Sequence, residues 1–237
     1  MKVYGHRGAS LYAPQNTLAA FELAFRMGAY GVENDVRLTA DGEIVVMHNG
    51  DTEEMCGKKL VVEEATLAEL KELDIIDKTG KYPGQKIPTL AETYELMKKY
   101  PEVHINVELK SSGEIFLKKV LEITEQYKMT HRVLYSTFNV ANLEWLHANR
   151  PDIPTALLNQ SEDFSLAVKN GCVAVHPHQY NVTPEYVKAA HEANLEINVW
   201  TVDAVHELNK MIELGVDGII SDCPNVALDW IAVNNRK

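Results

Sequence analysis

Glu33 and Asp35, within Gly31-Val32-Glu33-Asn34-Asp35-Val36, carry the first chemical information in the chain. The run is strand-like, and side chains two apart on a strand project to one side. Two carboxylates held together repel each other and are costly to desolvate, so a cation is expected beside them. The run continues through the turn signature Ala40-Asp41-Gly42 into a second strand that ends on His48. Glu108-Leu109-Lys110 offers a third carboxylate and a lysine, and His6-Arg7 a second histidine and an arginine. Hard carboxylate oxygens select Mg²⁺, Ca²⁺ or Mn²⁺ over zinc. Glu33, Asp35 and Glu108 are therefore expected to hold one such ion. The ion, Arg7 and Lys110 would form a strongly cationic spot that suits a phosphate. His6 and His48 beside it suit proton transfer at neutral pH, one accepting a proton and one delivering it to the leaving oxygen. The chemistry expected is metal-assisted phosphoester cleavage.

These residues lie far apart in sequence, so the elements between them must bring them together. Val3-Tyr4-Gly5-His6 reads as a short buried strand. A helix over 18–27 follows, capped by Asn16 or Thr17, with Leu18, Phe21, Ala24 and Phe25 on one face and Gly28 as its stop. Residues 49–86 break the pattern with a short helix over 66–73 and a polar Gly/Pro-rich stretch over 78–86. They read as an insertion after the second strand, placed to act as a lid. From Pro88 onward strands and helices alternate, with strands over 104–108, 133–136, 155–158, 172–175, 197–201 and 218–221, and a helix over 203–214 between the last two strands. About eight such units in a chain of this length suit a closed (β/α)₈ TIM barrel better than an open doubly wound sheet. A single domain over residues 1–237 is expected. Barrels of this kind carry their active groups at the C-terminal ends of the strands. His6-Arg7, Glu33, Asp35, Glu108, Lys110, Ser136 and Trp200-Thr201 all fall at those ends, which lifts them above isolated helix caps or surface charges. The other histidines, including His176 and His178, lack such company and read as surface or structural.

Composition narrows the partners. The chain has 237 residues, 46% hydrophobic and 24% charged, and its 34 acidic against 23 basic side chains give a formal net charge of −11. Such an acidic chain gains nothing from counterion release on nucleic acid. The three cysteines, Cys56, Cys172 and Cys223, are far apart and fit reduced thiols rather than a disulfide framework or a zinc site. No run approaches the ~18 apolar residues of a membrane span. Met1-Lys2-Val3-Tyr4 leads straight into a motif without an apolar leader, so a soluble cytoplasmic protein, monomer or homodimer, without a membrane anchor, is expected.

The same residues resemble the glycerophosphodiester phosphodiesterase family. The likeness runs through His6-Arg7-Gly8-Ala9, Pro14-Gln15-Asn16-Thr17, Gly31–Val36, Thr39–Gly42 and Val45-Val46-Met47-His48. It continues through Ile87-Pro88-Thr89-Leu90, Val107–Lys110, Val199-Trp200-Thr201-Val202 and Gly215–Asp222, in order along nearly the whole chain. The resemblance implies a (β/α)₈ barrel with a small insertion after the second strand. It implies hydrolysis of glycerophosphodiesters, of the glycerophosphocholine or glycerophosphoethanolamine kind, to glycerol 3-phosphate and an alcohol. By matching position it makes Glu33, Asp35 and Glu108 the metal ligands, His6 and His48 the acid–base pair, Arg7 and Lys110 the phosphate contacts, and Trp200 a wall of the glycerol pocket. Two positions depart from the family pattern. Gln15 stands where the family usually has Glu, and Asn49 where it usually has Asp. Both changes remove a carboxylate near the site, which implies weaker metal binding or a His48 without its orienting partner, a role Asp51 could take over. Two rival readings follow: a lysophospholipase D-like enzyme acting on larger lysophospholipids, and a barrel that binds a phosphodiester without cleaving it.

Overall fold

The computed structural model describes residues 1–234. Its strands are β1 (Lys2–Gly5), β2 (Gly31–Leu38), β3 (Ile44–Val46), β4 (His104–Leu109), β5 (Val133–Thr137), β6 (Thr155–Leu157), β7 (Ala174–Val175), β8 (Glu196–Val199) and β9 (Gly218–Ser221). All except β3 pair in parallel, and β1 pairs with both β2 and β9, which closes an eight-stranded ring. The expected (β/α)₈ barrel is therefore the fold. β3 runs antiparallel to the end of β2 as the second arm of the expected hairpin. At its turn Gly42 takes φ 83°, a left-handed conformation that costs a side-chain-bearing residue about 1–2 kcal/mol.

The helices are α1 (Leu18–Arg26), α2 (Glu53–Cys56), α3 (Leu67–Glu72), α4 (Leu90–Met97), α5 (Glu114–Gln126), α6 (Val140–Asn149), α7 (Ser165–Lys169), α8 (Pro184–Glu192), α9 (Val205–Leu214) and α10 (Pro224–Asn234). Their apolar faces pack on the outer faces of the strands in two clusters, one around Phe21, Val32, Tyr94 and Phe116, the other around Val175, Tyr186, Ile197 and Leu208. A third, smaller cluster joins Val45 and Met47 to Met55, Val62, Leu70 and Ile87. The segment over 49–86 thus carries its own apolar anchor on β3. Asp41, at the hairpin turn, ties down the same segment by accepting from the backbone N–H of Leu67 at 3.0 Å.

Several boundaries differ from the sequence expectation, each for a local reason. The helix expected from 203 starts at Val205, because the Glu207 carboxylate accepts from the N–H groups of Asp203 and Ala204 and holds them outside the helix. The strand expected over 172–175 shrinks to Ala174–Val175, because the N–H groups of Gly171 and Cys172 bond back to carbonyls of α7. Asn16 and Thr17 divide the roles that sequence left open. Thr17 caps α1, its Oγ1 accepting from the N–H of Ala20 at 3.2 Å and donating to the Pro14 carbonyl at 2.6 Å. Asn16 turns inward instead. Thr17→Ala should lower unfolding free energy by about 1–2 kcal/mol in urea denaturation.

Candidate active site

The loop from β1 to α1 is tightly constrained. Arg7 and Asn16 both adopt left-handed φ values, 53° and 55°. Between them, the Arg7 carbonyl accepts from the Asn16 N–H at 2.9 Å. Gly8, at φ 88°, sits where an added Cβ would lie 2.5 Å from the Ala20 carbonyl carbon, so only glycine lets the loop press onto α1. Non-glycine residues held in this conformation cost energy and persist where the surroundings over-determine them. Here the surroundings are the acidic strand ends: the Arg7 N–H donates to Glu33 Oε2 at 3.0 Å, and Asn16 Nδ2 donates to Asp35 Oδ2 at 2.8 Å.

β2 and β4 lie side by side in parallel register, with Asp35 opposite Glu108 and Glu33 opposite Asn106. Strand alternation turns Glu33 and Asp35 to the same side, and the register brings Glu108 abreast of them. Carboxylate oxygens of Glu33, Asp35 and Glu108 all lie within 4.8 Å of one another, and all three residues are buried. Lys110 Nζ sits 2.6 Å from Glu108 Oε1 and 3.2 Å from Asp35 Oδ1, and Arg7 Nε is 3.4 Å from Asp35 Oδ2. Two cations thus face three carboxylates. Among the described residues Glu33 Oε1 has no hydrogen-bond partner.

The protonation preferences follow from that geometry. Burial, then repulsion from Asp35 and Glu108, pushes the Glu33 carboxyl well above the ordinary carboxylate range, with Arg7 opposing. Burial and Asp35 push Glu108 up to about 7, with Lys110 opposing. Burial would raise Asp35 too, but Lys110 and Arg7 outweigh it and hold that carboxyl below its usual value. Three converging carboxylates, one with an oxygen left unpaired, are a donor set that a hard divalent cation fits.

Both histidines have one ring nitrogen committed. His6 Nδ1 lies 2.6 Å from Asp222 Oδ1, an acceptor that also takes a hydrogen bond from Ser10 Oγ at 2.8 Å. His48 Nδ1 lies 2.7 Å from the amide oxygen of Asn49. Carboxylate and amide oxygens only accept, so each Nδ1 carries the proton and each Nε2 is the free ring nitrogen. Burial, partly offset by Asp35, holds the His48 ring below the usual imidazole range, so it stays neutral at neutral pH.

Of the expected site residues, all but Asp35 line one opening at the C-terminal ends of the strands, and Asp35 lies just beneath it. Trp200 follows β8 at the rim, its indole N–H donating to the His176 carbonyl at 2.9 Å and its ring edge-on to His178 and Phe138. Beside the opening, His6 and Arg7 also line a second cavity of about 370 Å³, walled by the loop over 10–15 and by Glu54, Met55 and residues 75–79. The segment over 49–86 is therefore a side wall of the site.

Gln15 Oε1 accepts from Arg7 Nη1 at 2.6 Å. Two local expectations are corrected. His48 does not lose its orienting contact, because the Asn49 amide makes it. Asp51 does not take that role, being engaged by the N–H of Glu53 and by Lys59. One further residue escaped the sequence reading, while His176 is structural, one of the two roles expected of it. Asp222 directly follows β9, and extending the strand-end rule to that last strand would have found it. His176 is fully buried, with Asn198 Nδ2 3.0 Å from its Nε2 and Asn106 Nδ2 3.4 Å from its Nδ1. It lines the same opening. Burial drives its ring down to about 3, so it stays neutral. Its strand is two residues long, too short to signal an inward-facing position.

Fold and site together define a (β/α)₈ barrel with an acidic mouth flanked by two oriented histidines. The model of the glycerophosphoryl diester phosphodiesterase family matches residues 6–226. The chain is 34% identical to a glycerophosphodiester phosphodiesterase of Caldanaerobacter subterraneus subsp. tengcongensis, over 97% of each chain. Among solved structures it is similar to an Oleispira antarctica phosphodiesterase in complex with the product sn-glycerol-3-phosphate. That likeness has a TM-score of 0.91 and 28% identity, over 98% of this chain and 97% of that one. A glycerophosphodiester phosphodiesterase from Parabacteroides distasonis is also similar, with TM-score 0.86 and 29% identity over 100% and 98% of the two chains. The chain belongs to the glycerophosphoryl diester phosphodiesterase family and is an enzyme of the phosphoric diester hydrolase class. Among the described residues no helix is long and apolar enough to cross a membrane.

Proposed function

We propose that the chain, acting as a single domain, hydrolyses glycerophosphodiesters such as glycerophosphocholine and glycerophosphoethanolamine to glycerol 3-phosphate and the free alcohol. The observation that carries this reading is the convergence of the buried triad Glu33, Asp35 and Glu108 with His6 and His48, each with Nδ1 committed and Nε2 free. The triad would hold one Mg²⁺, Ca²⁺ or Mn²⁺, which when bound supplies positive charge to a phosphoryl oxygen. Arg7 and Lys110 take the remaining non-bridging oxygens and stabilise charge on the pentacoordinate phosphorus. One imidazole removes the proton of the nucleophile, either water or the glycerol 2-hydroxyl, and the other protonates the departing alcohol oxygen. Attack by the 2-hydroxyl would form a cyclic phosphate that water then opens. Trp200 walls the glycerol side.

Protonation of the triad competes with the cation. Glu108, pushed up to about 7, holds a proton below that pH and is ionised above it, and burial with repulsion from Asp35 and Glu108 raises Glu33 as well. Metal affinity should therefore climb from pH 6 to 8, with net proton release on binding, and titration calorimetry in buffers of different ionisation enthalpy measures both. A fall in affinity over the same interval would contradict the proposed ligand set.

The 370 Å³ side cavity, with Leu11, Met55, Ile75 and Ile76 in its wall, favours the rival reading of larger lysophospholipids. Parallel assays with glycerophosphocholine and lysophosphatidylcholine separate the readings. Faster release from glycerophosphocholine supports the proposal, and equal or faster cleavage of the lysophospholipid supports the rival. Binding of glycerophosphocholine without cleavage in saturating Mg²⁺, Ca²⁺ and Mn²⁺ would overturn both.

A further inference from the structure

We propose that Glu54, on the first helix of the segment between β3 and α4, is a positioning residue for His48, acting through the amide of Asn49. This rests on the reading of His48 as a proton-transfer group. His48 Nδ1 meets Asn49 Oδ1 at 2.7 Å, and on the other side of the same amide Nδ2 donates to Glu54 Oε2 at 2.7 Å. A carboxylate in this place would need no further support, because both its oxygens accept. An amide is ambiguous: turned over, it presents NH₂ where it had presented oxygen, in nearly the same space. The reversed amide would donate to Nδ1, moving the ring proton to Nε2 and removing the free ring nitrogen. Glu54 breaks the ambiguity, since an ionised carboxylate accepts only and so captures the NH₂ end.

The surrounding contacts leave this task to Glu54. The His48 backbone is fixed independently, its carbonyl accepting from Arg37 Nε at 3.1 Å and from an Arg37 terminal nitrogen at 2.8 Å. Those bonds place the chain but not the ring. Helix α2 does not depend on Glu54 for its own position. Met55 anchors it in the third apolar cluster, the Met55 carbonyl accepts from the Ile76 N–H, and Thr52 bonds the Lys58 carbonyl and the Leu60 N–H. Glu54 can therefore be changed without unseating the helix. Asn49 and Glu54 would work as a pair, and the segment over 49–86 would then reach the proton-transfer chemistry itself.

The test is a double-mutant cycle read by turnover and by the His48 ring nitrogens in ¹⁵N-histidine-labelled enzyme. Glu54→Ala should lower kcat about 10-fold with KM changed less than about 2-fold, the loss expected for one charge-assisted hydrogen bond that acts on the reacting geometry. Glu54→Gln, whose oxygen still accepts from Asn49, should recover most of that loss. With Asn49→Asp as background, His48 has a direct carboxylate acceptor, and adding Glu54→Ala should change kcat less than about 2-fold. In the ring spectra, wild type should show Nδ1–H, and Glu54→Ala a mixture of the two tautomers. An equal loss from Glu54→Ala in both backgrounds, Glu54→Gln as slow as Glu54→Ala, or a pure Nδ1–H ring in Glu54→Ala would each overturn the proposal. Should wild type release no glycerol 3-phosphate, the hydrolase reading falls, and the ring spectra alone still decide whether Glu54 sets the tautomer.

Discussion

Glu33→Gln should make the metal-free protein more stable and nearly inactive. Glu33 is buried against Asp35 and Glu108, and its folded-state value lies above that of the unfolded chain. A carboxylate raised in this way favours folding while protonated and loses that contribution as pH rises through the folded value. At pH 8 an unfolded glutamate is ionised and burying it costs stability, a cost that the neutral amide removes while its oxygen still accepts from the Arg7 N–H. Melting in chelator at pH 8 should therefore show a Tm rise of a few degrees, ~1 kcal/mol being worth roughly 2–4 °C in a chain of this size. The gain should shrink as pH falls toward the ordinary glutamate range, where wild type is protonated as well. Saturating Mg²⁺ should reverse the order, because a cation that binds only the folded wild type stabilises it by mass action. Turnover should fall by at least roughly 10²-fold, more than the 10–100-fold that changes outside the ligand set cost. A variant less stable than wild type in chelator at pH 8 would count against a strained acidic triad.

His6→Ala and His48→Ala should each cut turnover by roughly 10²–10⁴ while leaving KM and Tm little changed. Each ring contributes one proton transfer, and neither belongs to the apolar clusters. Asp222→Asn should fall between wild type and His6→Ala, because the amide can still accept from Nδ1 but loses the charge that favours an imidazolium. Stopped-flow or coupled detection of glycerol 3-phosphate measures all three. Wild-type turnover in both alanine variants would remove the histidines from the chemistry.

What the chain disclosed in advance was its periodicity and its punctuation. The barrel was legible because its strands alternate with amphipathic helices, and the site was legible because chemically informative residues recur at the strand ends, as in His6-Arg7 and Glu108-Leu109-Lys110. What stayed hidden depends on side-chain partners that spacing cannot show. Gln15 and Asn49 looked like lost carboxylates, yet an amide oxygen accepts a hydrogen bond as a carboxylate does, and both residues keep their contacts to Arg7 and His48. The shortened start of α9 was hidden for a related reason, since Glu207 reaches back over its own N-terminus.

The most direct test of the central claim is glycerol 3-phosphate release from glycerophosphocholine by enzyme stripped of metal. No release is expected in chelator, and activity should return on adding Mg²⁺, Ca²⁺ or Mn²⁺ to wild type but not to Glu33→Gln. Release that continues unchanged in chelator would contradict a cation held by Glu33, Asp35 and Glu108.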